Sequence, residues 1–187
     1  MKIPSLGYAL LGLLHGKPSS GYDLRKIFSS TSMRTYSDSP GAIYPALKRL
    51  QKQGLIVGKV EEGSGLRRRQ IFRISARGIA ELKKWITAPV TPEDVAAGAS
   101  LVMLRFAFSE TVAGPSATLA LLRSLEAALT PQLAALRTEF ESLKKIAPTS
   151  GRLAFECGLR GTETFLHWTQ SAITTYEQLA AKRGGTV

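Results

Sequence analysis

The chain has 187 residues, 44% of them hydrophobic and 21% charged, with a formal net charge of +11. This length is enough for one domain or two small ones with a hydrophobic core. The single cysteine, Cys157, excludes an intramolecular disulfide. The chain has only two histidines in addition to this cysteine, so we predict no metal site. No run of about eighteen apolar residues and no signal-peptide cleavage pattern occur, so we predict a cytoplasmic protein without a membrane span.

The positive charge is confined to the first half of the chain. Residues 1–88 carry 16 Lys and Arg against 5 Asp and Glu, whereas residues 89–187 carry nine of each kind. Such a division indicates that one domain meets a polyanion and the other does not. We therefore predict two domains, residues 1–88 and 89–187, joined by a proline-containing hinge.

Two short helices are predicted first. Apolar residues at helical spacing predict a helix over residues 6–15, which ends before a Gly-Lys-Pro sequence. Ser19 or Ser20 then caps a second helix over residues 21–29. The polar residues 34–38 are expected to form a connection to the next helix.

A third helix is predicted between residues 39 and 55. Ser39 can cap it with Pro40 at the first helical position, and Gly54 stands where helices usually end. Pro45 lacks an amide hydrogen, so either the regular helix begins after Pro40 or its first turn is bent. The residues expected in the core are Ile43, Ala46, Leu47 and Leu50.

The opposite face of this third helix is basic and aromatic. A helix with an apolar back and a cationic front can enter a DNA major groove. The alternative is an ordinary amphipathic helix whose lysines are simply solvated. The residues of this face are Tyr44, Lys48, Arg49 and Lys52.

A β-hairpin is predicted next. Residues 55–60 and 70–75 are β-branched or alternate in polarity, and a glycine-containing turn at residues 61–66 lies between them. The returning limb begins with Arg67, Arg68 and Arg69, which either contact phosphates and the minor groove or form a solvated charge run. A basic helix followed by a basic hairpin is the order of a winged helix-turn-helix, and this combination favours nucleic acid. Ser75 then caps a fourth helix, with Ile79, Leu82, Trp85 and Ile86 on one apolar face.

The same residues resemble the PadR-type family of transcriptional regulators over about residues 5–86. The similar motifs are Leu-Leu-Gly-Leu-Leu at 10–14 with Gly-Tyr-Asp-Leu at 21–24, the recognition-helix sequence Gly-Ala-Ile-Tyr-Pro-Ala-Leu-Lys-Arg-Leu at 41–50, and Arg-Gln-Ile-Phe-Arg-Ile-Ser at 69–75. The chain departs from the family in lacking Gly-Pro at the hairpin tip and in having Ile71 at an aromatic position. The resemblance implies that Pro45 is tolerated and that the protein regulates transcription, as a repressor. The predicted DNA-binding residues are Tyr22, Ser39, Gly41, Tyr44, Lys48, Arg49, Lys52, Arg67, Arg68 and Arg69.

The second half is predicted to be helical over residues 93–108, 117–146 and 153–182. Pro131 marks a kink, or a break at which Thr130 caps a new helix. An apolar stripe repeats every three or four residues from Leu119 to Leu143 and needs a covering surface. A homodimer is the economical answer, and packing within one chain is the alternative.

The last predicted helix contains two glycines and an aromatic cluster. Gly158 and Gly161 are expected at a close helix crossing, because a glycine inside a helix costs roughly 1 kcal/mol relative to alanine. Phe165, His167 and Trp168 are candidates for a pocket that binds a small aromatic effector. Aromatic residues at helical spacing also occur in cores and interfaces, which is the alternative.

These patterns predict a mainly α-helical fold with a small β-hairpin: a winged helix-turn-helix domain followed by an α-helical dimerisation domain. The predicted function is a homodimeric regulator that binds double-stranded DNA at a palindromic operator and is released by an effector. The alternative is a winged-helix protein-interaction module or a non-specific nucleic-acid binder. No catalytic set, metal-ligand cluster or phosphate loop occurs, so we expect neither an enzyme nor a cofactor.

Overall fold

The structure is a computed structural model that describes residues 3–36, 40–62 and 68–184. The chain divides into two compact units, Met1–Ile86 (the N-terminal unit) and Thr87–Val187 (the C-terminal unit). Helices dominate both, and the strands form one small antiparallel sheet in the N-terminal unit. The predicted fold class is confirmed.

The first two helices, α1 (Ser5–Gly16) and α2 (Gly21–Ser30), lie close to their predicted positions. Of the two candidate caps, Ser20 is the one used: its Oγ accepts a hydrogen bond from the Asp23 amide at 3.2 Å, and the Asp23 carboxylate accepts one from the Ser20 amide. The residues after α2 form a 3₁₀ helix, Ser32–Tyr36, where an irregular connection was expected.

The third helix, α3 (Ile43–Lys52), begins later than Pro40, which starts a short 3₁₀ turn ending at Ala42. Of the two alternatives given for Pro45, the structure has the first, a regular helix that begins after Pro40. Ser39 lies outside the described residues. Pro45 is the third residue of α3, where an amide has no acceptor within the helix, so its missing hydrogen leaves no helical bond unmade. The four predicted core residues of α3 are buried.

The helix ends as predicted at Gly54, whose φ of +68° is readily adopted only by glycine. Two strands follow, β2 (Ile56–Glu62) and β3 (Arg68–Ile74), paired antiparallel from Ile56 opposite Ile74 to Glu62 opposite Arg68. Glu61 and Glu62, predicted to begin the turn, belong to β2, and the rest of the predicted turn lies outside the described residues. A short strand that was not predicted, β1 (Ser19–Ser20), pairs with the other side of β3 and gives the order β1-β3-β2.

The fourth helix, α4 (Ala76–Thr87), begins at the predicted cap. Ser75 Oγ accepts a hydrogen bond from the Gly78 amide at 3.0 Å and donates one to the Gly54 carbonyl at 2.7 Å. Leu82 and Ile86 are buried, but Ile79 is 38% exposed, so its assignment to the packed face is wrong. The two hydrogen bonds of Ser75 tie the first turn of α4 to the end of α3.

The C-terminal unit contains α5 (Pro92–Ala96), α6 (Ala99–Ala113), α7 (Pro115–Leu143) and α8 (Thr149–Gly184). The single helix predicted for residues 93–108 is divided, because Gly98 adopts a φ of +98° that helical backbone does not contain. Pro131 lies inside a continuous α7, so Thr130 does not cap a new helix. Its hydroxyl donates instead to the Glu126 carbonyl at 2.8 Å.

The centre of the leucine stripe on α7 is covered by the same chain. Leu122, Leu125, Leu129 and Leu133 are all buried, and the last three share one cluster with Val102 of α6 and with Leu159 and Leu166 of α8. The stripe alone therefore does not require a second chain, and the homodimer stays a prediction.

The two glycines of α8 do not lie at a helix crossing within the described chain. A Cβ added at Gly158 or at Gly161 would meet no atom within 4 Å. Close backbone approach at these positions is therefore not found within one chain, because neighbouring helices contact other faces of α8. Cys157 beside them is exposed.

Arg105 of α6 is almost completely buried and fixes the segment that precedes α5. Its guanidinium donates to the Ala88 carbonyl and lies 3.7 Å from the Asp94 carboxylate. Burial lowers the pKa of Arg105, and the charge of Asp94 opposes this effect.

None of the described helices is long and apolar enough to cross a membrane. Residues 3–36, 40–62 and 68–184 contain no group of three potential metal ligands.

Candidate nucleic-acid interface

The outward face of α3 carries a basic strip, which we define as Tyr44, Lys48 and Lys52. These residues follow one another at intervals of four, so their Cβ atoms are neighbours at about 6 Å on one side of the helix. Lys48 and Lys52 are exposed, and Tyr44 is 46% exposed. The buried apolar back of α3 fixes the direction of the strip towards solvent.

Tyr44 is held at one flank of the strip by the first turn of α2. Its ring lies against Gly21 so closely that an added Cβ there would be 2.6 Å from Tyr44 Cε1. Glycine at this position therefore leaves the space in which the ring lies. The contact joins the first residue of α2 to α3 and orients the phenol at the N-terminal end of the basic strip.

The neighbouring residue Tyr22 is 58% exposed and carries a cation on its ring. The guanidinium carbon of Arg25 lies 5.6 Å from the centre of that ring, within the range of a cation–π contact. Arg25 is exposed and was not among the predicted site residues. Its spacing of three residues from Tyr22 on a helix is the sequence signal by which it could have been found.

Arg49 lies on the opposite flank of α3. It lines a shallow groove of about 330 Å³ together with Ile3 and Pro4 at the beginning of α1. It is one turn from Lys52 and lies at the edge of the face that carries Lys48 and Lys52. Gly41, also predicted as a contact, is exposed in the 3₁₀ turn before α3.

Arg69 connects the hairpin to the start of α2. Its guanidinium donates to Ser20 Oγ at 2.9 Å and forms an ion pair with the Asp23 carboxylate. Burial opposes ionisation of Asp23, but the hydrogen bonds from Ser20 and the charge of Arg69 outweigh it and hold the pKa of this carboxyl below its usual value. Arg69 is thus engaged within the chain, although its side chain is still half exposed.

The other two predicted arginines of the hairpin are less defined. Arg67 lies outside the described residues. The backbone of Arg68 pairs with Glu62, and its side chain is outside the description. Arg73, further along β3, lies 3.8 Å from Glu61 across the hairpin.

Asp23→Asn and Arg69→Gln, made singly and together, are expected to show that the two side chains are coupled by about 0.5–1 kcal/mol in the free energy of unfolding. The coupling is small because solvent screens this half-exposed ion pair. The folded-state pKa of Asp23 is lowered, so this stabilisation is complete above the unfolded value of about 4 and is lost as the pH falls through the folded value. Urea unfolding at pH 7 and pH 3, followed by Trp85 fluorescence in a Trp168→Phe background, measures it. A coupling that is zero at pH 7, or unchanged at pH 3, would contradict the ion pair.

The three candidate effector residues do not converge on one pocket. Phe165 stacks on Trp168 with ring centres 5.8 Å apart, and Trp168 makes an edge contact with Phe106 at 5.1 Å. Both Phe165 and Trp168 pack against the apolar cluster of the C-terminal unit, whereas His167 is exposed. The rings of Phe165 and Trp168 are therefore part of the packing of the C-terminal unit, which is the alternative given above.

Comparison with known proteins gives matches to transcriptional regulators. The sequence profile of the transcriptional regulator PadR-like family matches residues 10–84. The chain is 41% identical over 58 residues to the transcriptional regulator YqjI of Escherichia coli (strain K12), covering 31% of this chain and 28% of that protein. It is 31% identical over 81 residues to the negative transcriptional regulator PadR of Bacillus subtilis (strain 168), covering 43% and 44%. The chain thus spans less than half the length of these curated relatives.

Solved structures also resemble the chain. The crystal structure of Bacillus subtilis PadR in complex with operator DNA is 22% identical, with 91% of this chain and 98% of that chain covered and a TM-score of 0.42. A transcriptional regulator from Clostridium thermocellum is 29% identical, with coverage of 42% and 74% and a TM-score of 0.37.

Proposed function

We propose that the chain, whose residues 10–84 match the sequence profile of the PadR-like family of transcriptional regulators, binds double-stranded DNA with its N-terminal unit and thereby regulates transcription. The family consists of regulators, in agreement with the expectation that the chain is not an enzyme. The observation that carries the proposal is the basic strip of α3, exposed on a helix whose back is fully buried. An α-helix of this kind has the width that the major groove accepts.

The charge distribution supports the same proposal. All of the excess of 11 positive charges belongs to residues 1–88. A basic surface of this kind attracts the phosphate backbone at long range, independently of sequence. The basic strip, Tyr22 and Arg25 are then the groups with which the N-terminal unit contacts DNA at short range.

The proposed residue roles differ between base edges and backbone. Tyr44 and Lys48 contact base edges in the major groove, where they specify sequence, and Lys52 contacts a phosphate. Ser39 and Gly41, before α3, contact the backbone of the same groove. Of the remaining predicted contacts, Tyr22, Arg67 and Arg68 lie along the flanking phosphates, with Arg25 added to them.

Two arginines receive different roles. Arg69 is a positioning residue that holds the hairpin against α2 through Asp23, because its guanidinium is already engaged there. Arg49, on the flank of α3 beside Ile3 and Pro4, contacts a phosphate at the edge of the site. A substitution of Arg69 by Lys is therefore expected to weaken DNA binding less than a substitution of Lys48.

The finer parts of the proposal concern assembly and regulation. We propose a homodimer on a palindromic operator, whose half-sites would lie about 34–36 Å apart by two-fold symmetry. Repression is proposed because the similar Bacillus subtilis protein is named a negative regulator. Release by a small-molecule effector is the remaining proposal, and the mass of the free protein in solution tests the dimer.

Selection of bound fragments from the genomic DNA of its own organism is expected to enrich an inverted repeat. The complex with that repeat is expected to survive competition by excess random duplex at 150 mM salt, because base contacts add about 4–10 kcal/mol to non-specific binding. Loss of the complex to random duplex would instead favour a non-specific binder. Absence of DNA binding at low salt would favour the protein-interaction module.

A further inference from the structure

The C-terminal unit contains a groove of about 730 Å³ between the end of α6, the beginning of α7 and the last turns of α8. This volume lies within the range of small-molecule sites. Its apolar surface includes Pro115, Leu119 and Leu179. The predicted effector residues Phe165, His167 and Trp168 do not line it.

Glu110 provides the negative charge of this groove. One of its carboxylate oxygens accepts a hydrogen bond from the Tyr176 hydroxyl at 2.7 Å. Burial, together with the hydrogen bond and the charge of Glu110, raises the pKa of Tyr176 to about 12, so the phenol stays neutral. A neutral donor satisfies the carboxylate but leaves its charge uncompensated, and no ion pair of Glu110 is found among the described residues.

The cation that lines the groove is already neutralised. Arg123 donates to the Glu177 carboxylate at 2.9 Å and forms an ion pair with it. Counted with Glu177, the two charged lining residues Glu110 and Arg123 carry a net charge of −1, although the whole chain is strongly basic. An anionic ligand would have to displace Glu177 from Arg123, whereas a cationic ligand meets Glu110 directly.

We propose that this groove binds a lipophilic monocation, with its apolar body against Leu119 and Leu179 and its positive centre beside Glu110 and the ring of Tyr176. Delocalised or shielded cations lose little hydration on entering such a site. They also gain from an aromatic face. A compact ammonium ion is strongly hydrated and gains less. The proposal concerns the free protein and does not depend on DNA binding.

Tetraphenylphosphonium and tetraphenylborate test the proposal, because the two ions have nearly the same shape and opposite charge. Calorimetric titration of the full chain at 150 mM salt is expected to show binding of tetraphenylphosphonium at least tenfold tighter than of tetraphenylborate. Glu110→Gln keeps the hydrogen-bond acceptor for Tyr176 but removes the charge, and it is expected to weaken phosphonium binding about tenfold or more. Glu139→Gln, an exposed position on α7 that does not line the groove, is the matched control and should leave the affinity unchanged.

A second variant guards against misfolding of the first. Leu179 is exposed enough to accept lysine, and Leu179→Lys would place an ammonium where the ligand cation is expected, lowering phosphonium affinity at least tenfold. Equal affinity for the two ions would overturn the proposal. So would wild-type affinity in Glu110→Gln or Leu179→Lys, or an equal loss in Glu139→Gln.

Discussion

Replacing Lys48 and Lys52 together by alanine is expected to weaken binding to the selected operator by about 2–4 kcal/mol, or roughly 30- to 700-fold. Both ammonium groups lie on the outward side of α3, so their removal takes two cations from the groove without opening the core. The salt dependence changes with them. The slope of log K against log salt concentration is expected to become shallower by about 0.9, the contribution of one phosphate contact, because only Lys52 of the pair contacts a phosphate. Fluorescence anisotropy at four salt concentrations measures both quantities.

The matched control is the pair Lys83 and Lys84 on α4. This variant removes the same charge from the same unit, and both residues are exposed but belong to a different helix. It is expected to change operator affinity by less than about threefold, through long-range attraction alone. If both double variants lose affinity equally, the basic strip has no special role and only the net charge of the N-terminal unit matters.

Gly78→Ala is expected to destabilise the N-terminal unit by roughly 2–4 kcal/mol. A Cβ at this position would overlap the backbone carbonyl of Leu55 and stand 2.8 Å from Ile74 Cγ1. Backbone cannot yield as the end of a side chain does, so α4 must move. That movement would strain the hydrogen bonds by which Ser75 holds the Gly54 carbonyl and the Gly78 amide.

Urea unfolding measures this effect within one unit, because each unit contains one tryptophan: Trp85 in the first and Trp168 in the second. In a Trp168→Phe background, Trp85 reports only on the N-terminal unit.

Gly161→Ala in α8 is the matched control. Its unfolding is monitored by the fluorescence of Trp168 in a Trp85→Phe background. It meets open space and is expected to raise stability by up to about 1 kcal/mol through helix propensity. An unchanged Gly78→Ala variant would contradict the contact with Leu55. A destabilised Gly161→Ala variant would mean that a second molecule covers this face of α8.

The helices of the N-terminal unit were predictable because their signals are local. Capping residues, glycine at a helix end and apolar spacing act over a few residues, and they located α1, α2, α3 and α4 to within a few positions. The failures have local causes too. The 3₁₀ turn before α3 and the left-handed Gly98 before α6 are backbone choices that apolar spacing does not encode.

The candidate site was predictable only in part. Exposure of Tyr44, Lys48 and Lys52 follows from burial of the opposite face of one helix, so the sequence indicated it. The engagement of Arg69 did not follow, since its partner Asp23 lies 46 positions away and meets it only where β3 approaches α2. Arg25 was missed for a different reason: the prediction named Tyr22 as a contact but did not extend to the cation three residues after it on the same helix.

By itself the sequence determined the helical pattern, the basic hairpin, the family motifs and the concentration of positive charge in residues 1–88, because each of these is a property of neighbouring residues or of counting. Only the tertiary structure decided which side chains from distant positions meet. In the tertiary structure α6 and α8 cover the leucine stripe, and Phe165 stacks on Trp168. Tyr176 donates a hydrogen bond to Glu110, which is 66 positions away in the sequence. Periodicity specifies which face of a helix is apolar, but the angle and the height at which two helices cross determine which atoms touch, and these depend on packing of the whole unit.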